Sequence, residues 1–173
     1  MTPVGHTIVG IWIGDIIEKK TDIKSIIFYT IIASLPDFDI IFGFIFFGKA
    51  GINIHQLYTH NLPFVLVITL LTYFLSKKNK KITFFVFFAL LSHLFLDLFV
   101  IDKKPPIGLM LFYPFSSKLF NIPLLMGVNK SSLKALFSIH NLKAVIVEII
   151  ILSPLWGYTI YDILKKVKKD EKR

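Results

Sequence analysis

Four carboxylates and four histidines in this chain sit in or beside apolar segments, and their spacing suits a divalent metal ion. His93 and Asp97 are four positions apart in HLFLD, so a helix places both side chains on one face, within reach of a shared ion or proton. Asp37 and Asp39 flank Phe38 just after Pro36. Proline breaks a helix there, and lipid tolerates non-helical backbone only where it lines a cavity. His55 and His60 stand in HQLYTH ahead of the next apolar run, His6 stands in the first run, and Glu148 in the last. Taken singly, these have ordinary readings: a satisfied His–Asp pair, a turn or cap, histidines at an interface. Taken together they form a donor set, because four carboxylates in low dielectric repel one another and protonate unless cations stand among them. Two divalent ions, or three, would balance Asp37, Asp39, Asp97 and Glu148. His6, His55, His60 and His93 would then be neutral nitrogen ligands, with positions open for water. Cysteine is absent, so thiolate ligands are excluded and coordination falls to nitrogen and oxygen. Zn²⁺ is the expected ion, with Mn²⁺ as the alternative.

Helices in lipid are expected to position these residues. The 173 residues suffice for one domain, read as residues 1–173. A mean hydropathy of +0.68 with 18 phenylalanines exceeds what a soluble domain of this size can hide. Thr2 and Pro3 make a cap and first-turn pair for a helix through about Ile17. With no basic region before its apolar stretch and no small-residue cleavage site, this helix reads as retained, keeping His6. Asp22 caps IKSIIFYTIIASL, which Pro36 stops. The apolar run IIFGFIFFG is too short to span and is predicted to be re-entrant or packed along the bundle. Asn61, with Pro63 just inside, opens LPFVLVITLLTYFLS, and ITFFVFFALLSHLFLDLFVI follows after a lysine cluster, so the pair reads as a helical hairpin. Prolines and glycines between 103 and 141 predict interfacial loops and short helices. A last run from about Leu142 to Leu164 closes the bundle. The fold class is therefore all-α, a polytopic transmembrane helical bundle with a broken or re-entrant segment.

Helical rise places the candidate ligands in one layer. At about 1.5 Å per residue, His6 lies about 20 Å from Lys19, Asp37 about 20 Å from Lys24, and His60 about 25 Å from Lys77. His93 and Asp97 lie about 18 and 24 Å from Lys81, and Glu148 about 25 Å from Lys165. If the lysine clusters mark the cytoplasmic face, that layer is near the opposite surface, although Lys103 and Lys104 fall on the wrong side. The net charge of +9 comes from these clusters at the ends of apolar runs, which points to anionic lipid headgroups as partners and not to nucleic acid. Asp15, Glu18, Asp22 and Asp102 lie at helix ends, where capping or solvation accounts for them. His140, in a polar loop, reads as surface or substrate-facing.

The order of His6, LPDFD at 35–39, HQLYTH at 55–60, HLFLD at 93–97 and LFYPFS at 111–116 resembles the YdjM/YbcI-like family of membrane-bound, metal-dependent hydrolases. That family is similar, more distantly, to zinc-dependent phospholipase C and P1-type nucleases. The resemblance implies a multi-pass protein of the inner membrane, with a helical metal site that hydrolyses a phosphoester of lipid-like character. Metal-activated water would attack, and Asp37 and Glu148 are the acids assigned a catalytic part. The family's HR-x-x-THS appears here with Gln56 in place of arginine, and Val100 replaces a threonine after HLFLD. Lys118, just past LFYPFS, would either neutralise phosphate or snorkel. Buried acids and a broken segment also describe a cation or proton transporter, which would need its carboxylates spread along a path. A non-catalytic scaffold that keeps metal for stability is the third class.

Overall fold

The computed structural model describes residues 1–20, 22–47, 58–101, 107–129, 135 and 137–170, with backbone alone at 44, 47 and 167–170. Among them, helices carry nearly all the regular structure. These are α1 (Pro3–Glu18), α2 (Ile23–Ala33), α3 (Asp39–Phe47), α4 (Leu62–Leu75), α5 (Lys80–Leu98), α6 (Ile139–Ile151) and α7 (Ser153–Asp170). A 3₁₀ turn, Leu35–Phe38, joins α2 to α3. Strands β1 (Val100–Ile101) and β2 (Leu125–Met126) pair in parallel, a contact the loop-and-short-helix reading of this stretch did not include.

The helix starts follow the capping chemistry of the sequence. Asp22 accepts from the amides of Lys24 and Ser25, and Asn61 accepts from Phe64 while Pro63 occupies the first turn. Thr2 accepts from Gly5 with Pro3 just inside. The lysine-rich ends turn tightly: Lys19 closes α1 in the left-handed region, and Lys77 and Lys78 take the same region between α4 and α5.

Pro36 acts earlier than expected, because a proline also restricts the residues before it. α2 ends at Ala33, and the chain bends by 65° into the segment that continues to Gly43. Asp37 sits in the 3₁₀ turn, whereas Asp39 is already the first residue of α3. The final run is likewise not one helix. Pro154 removes an amide and leaves α6 to end at Ile151, and α7 departs at 64°. The height of Glu148 therefore cannot be counted down a straight helix from Lys165.

α5 is long and apolar enough to cross a membrane, and up to three spans result if each bent pair counts as one. α5 packs against α1, α2 and α4 around a core of Tyr29, Val65, Phe85, Val86, Ala89 and Leu90. The outer faces are apolar as well: Phe46 is 73% exposed, Leu75 83% and Phe74 61%. Water disfavours an apolar surface of this extent, and lipid does not. Two small residues bring α1 and α2 together. Gly10 faces Ala33, and Gly14 lies beneath the ring of fully buried Tyr29. α7 packs beside α1, and Lys166 meets buried Asp15 at 2.6 Å. Asp15 is thus an internal ion-pair partner and not a solvated helix end.

Candidate metal centre

The broken α2–α3 segment, the turn ahead of α4, and α5 bring their acids and imidazoles to one place. Asp37, His60, His93 and Asp97 each offer a ligand atom, and these four atoms lie within 4.8 Å of one another. His60 Nε2 is 3.5 Å from both Asp37 Oδ1 and Asp97 Oδ2. His93 Nε2 is 3.7 Å from Asp37 Oδ1, 3.4 Å from Asp97 Oδ2 and 3.2 Å from His60 Nε2. Ligands about 2.0–2.1 Å from a tetrahedral Zn²⁺ stand about 3.4 Å apart. Five of the six ligand-to-ligand edges therefore match a four-coordinate N₂O₂ site.

Both imidazoles are held in the tautomer such a site needs. A carbonyl can only accept, so His93 Nδ1 donates to the Ala33 carbonyl at 2.7 Å and leaves its Nε2 lone pair toward the cluster. The Thr59 hydroxyl lies 2.7 Å from Asp39 Oδ2 and 3.0 Å from His60 Nδ1. It donates to the carboxylate and accepts from the imidazole, so Nδ1 keeps its proton and Nε2 is the nitrogen that carries the second proton or, once that is displaced, faces a cation. His60 lies outside the spanning segments and is fully buried. Burial disfavours its charge, but the carboxylates of Asp37 and Asp39 outweigh that and lift its pKa to about 9. The cluster favours positive charge in its midst.

The other expected ligands surround these four. The ring of His6 stacks on His93 with centroids 3.6 Å apart, and its Nε2 is 3.2 Å from Asp97 Oδ1. Both His6 nitrogens are buried, without a hydrogen-bond partner among the described residues. The Met1 amino group also pairs with Asp97 Oδ1. Asp39 stands one step out, 3.6 Å from His60 Nδ1 and bonded through Thr59. Glu148 is turned to the start of α1, where its oxygens accept from the Thr2 amide at 2.8 and 3.1 Å and from the Thr2 hydroxyl at 2.5 Å. A helix N-terminus favours an anion there. His55 lies outside the described residues, as do Gln56 and Lys103. His140 ties to the Gly127 carbonyl at 2.9 Å, and the Lys118 ammonium lies 5.4 Å from the Phe120 ring centre.

Two contributors were not legible as such. The Ala33 carbonyl is a main-chain group with no residue-type signal, and Thr59 is marked only by its adjacency to His60. Thr59→Val is expected to weaken metal retention by about 10–100-fold, the usual cost of removing an outer hydrogen bond to a ligand. Thr59→Ser should restore it, as read by competition against a chelating dye.

Apolar helices that bury acids and histidines together at one end define a helical membrane protein with a candidate metal centre. The chain belongs to the YdjM inner membrane protein family, whose model matches residues 1–167. Comparisons with curated proteins and with solved structures return no match.

Proposed function

We propose that this chain is a multi-pass inner-membrane hydrolase that uses the cluster as a divalent metal centre, with a lipid-like phosphoester as substrate. The observation that carries the reading is the near-tetrahedral spacing of Asp37, His60, His93 and Asp97, five of whose six edges measure 3.2–3.7 Å. Asp37, His60, His93 and Asp97 would hold the ion, which would supply Lewis acidity and, with a fifth position or with Asp37 released, would lower the pKa of a bound water. Asp97 Oδ1 and His6 offer a further pair of donors for a second ion, for which Zn²⁺ or Mn²⁺ is suited. The distant likeness to phospholipase C and P1-type nucleases supports phosphoester chemistry by analogy alone.

The side chains divide the remaining work by exposure. The Asp37 and Asp39 side chains are 16% and 12% exposed, against 3% for Asp97 and 0% for both His60 and His93. Water therefore enters over the 3₁₀ turn. Asp37, at that opening, is the acid placed to take a proton from attacking water. Glu148 instead holds the first turn of α1, and with it His6, in position. Among the described residues Asp37 and Asp97 gather with His60 and His93 at one place, with Asp39 beside them, which favours hydrolysis over transport. Lysines at the far ends of α1, α4 and α5 orient the cluster toward the non-cytoplasmic surface.

The test is turnover by metal-loaded, detergent-purified protein on a panel of lipid phosphomonoesters and phosphodiesters. Asp37→Asn is expected to lower kcat by about 10²–10⁴-fold, the range for a missing general base. Metal-loaded wild type that turns over no member of the panel would leave the scaffold reading in its place.

A further inference from the structure

Between α1 and α5 runs an apolar groove of about 530 Å³, within the range of ligand sites. Trp12 and Ile16 line one side, and Phe88, Ser92, Phe95 and Leu98 the other. One end lies near the level of the cluster, since in its lining Leu98 follows Asp97 directly and Leu62 is two residues past His60. From Leu98 to Phe88 the groove extends about 15 Å toward the lysine-rich end at 1.5 Å per residue.

We propose that this groove holds the hydrocarbon tail of a phosphorylated membrane amphiphile whose headgroup meets the metal cluster. The proposal rests on the phosphoester reading above, and it names the substrate class and the residues that select it. A polar ligand finds little to bond: among the described residues the lining's polar side-chain groups are the Trp12 indole N–H and the Ser92 hydroxyl, and the hydroxyl donates to the Ala89 carbonyl of its own helix at 2.8 Å. A partner helix fits poorly, because close helix packing in lipid needs small residues, and this lining is mostly Trp, Phe, Leu and Ile. A single hydrocarbon tail needs neither. Ile16, Phe88 and Phe95 are 45%, 44% and 58% exposed, so the groove opens sideways to lipid, the medium from which such a tail enters. The anions and imidazoles of the cluster, level with one end of the groove, would with a bound cation attract phosphate and not an uncharged headgroup.

Trp12 reports occupancy. The chain has two tryptophans, and Trp156 is not part of the lining, so Trp156→Phe leaves Trp12 alone. Zinc-loaded Trp156→Phe protein in phosphatidylcholine nanodiscs would be titrated with lysophosphatidate carrying a dibrominated stearoyl tail, and separately with the monoacylglycerol of the same tail. Quenching of Trp12 by the phosphorylated probe should saturate at about tenfold lower concentration than quenching by the monoacylglycerol. Ser92→Phe, which fills the middle of the groove, should abolish that saturation with bound zinc unchanged. Ile16→Phe, a substitution at an exposed site that spares the fold, should raise the half-saturating concentration. Equal, unsaturating quenching by both probes would mean the groove sees bulk lipid only and would overturn the proposal. So would saturable quenching that both groove variants leave unchanged, or that ignores the headgroup. Because turnover is not read, a failed hydrolase leaves saturable Trp12 quenching intact, whereas a failed tail site removes it with zinc still bound.

Discussion

Asp97→Ala is expected to emerge from purification without stoichiometric metal, while wild type retains it through dialysis. Asp97 faces three imidazoles: Oδ2 lies 3.5 Å from His60 and 3.4 Å from His93, and Oδ1 lies 3.2 Å from His6. Removing it deletes a donor from the four-ligand set and the anion that holds the stacked His6 and His93 rings beside it. Metal bound only by the folded state stabilises it by about 2.7 kcal/mol at a hundred times Kd. For a chain of this size, that is of the order of 5–10 °C in Tm. A chelator should lower the Tm of wild type by about that amount and leave Asp97→Ala unmoved. Elemental analysis beside a melting curve reads both effects. Stoichiometric Zn²⁺ or Mn²⁺ in the variant, or a wild type indifferent to chelation, would remove the metal centre from the account.

Local chemistry was legible where a side chain acts on its own neighbourhood. Thr2, Asp22 and Asn61 each cap the helix that their residue type and position announce. The four-residue spacing of His93 and Asp97 was enough to put both on one face, because α5 is a straight helix across them. Height follows the count of residues for the same reason on α1, α4 and α5. For Glu148 the straight count does not apply, since the bend before α7 decouples sequence distance from depth, yet its bonds to Thr2 place it at the level of Met1 and Asp97.

Partners far apart in the chain were not legible. Asp15 looks like a helix-end acid until Lys166 reaches it, and Glu148 looks like a ligand until Thr2 occupies it. Both outcomes depend on how α6 and α7 return to α1, which no periodicity encodes. Residue types told which side chains could hold a cation. The residue count along the helices anticipated a shared layer, and packing added that Asp37, His60, His93 and Asp97 are the innermost four and that Asp39 acts through Thr59.

Packing between α1 and α2 sets up the second large expectation, because it connects a distant glycine to the cluster. A Cβ on Gly14 would fall 2.5 Å from the Tyr29 ring. That ring cannot swing aside: it is fully buried, with its centroid 4.7 Å from that of Phe85 and 6.0 Å from that of Phe28. Gly14→Ala therefore pushes α2 away from α1, at a cost of about 1–3 kcal/mol for an overpacked core. α2 ends at Ala33, whose carbonyl fixes His93, so the displacement carries to the cluster although Gly14 lies about 12 Å along α1 from His6. The expected result is a lower Tm together with weaker metal retention, from a residue that touches no ligand. Gly157→Ala is the matched control: nothing lies within 4 Å of the added Cβ, and alanine in that helix should be neutral or stabilising. Equal melting and equal metal retention in Gly14→Ala and wild type would show that the α1–α2 contact does not hold His93 in place.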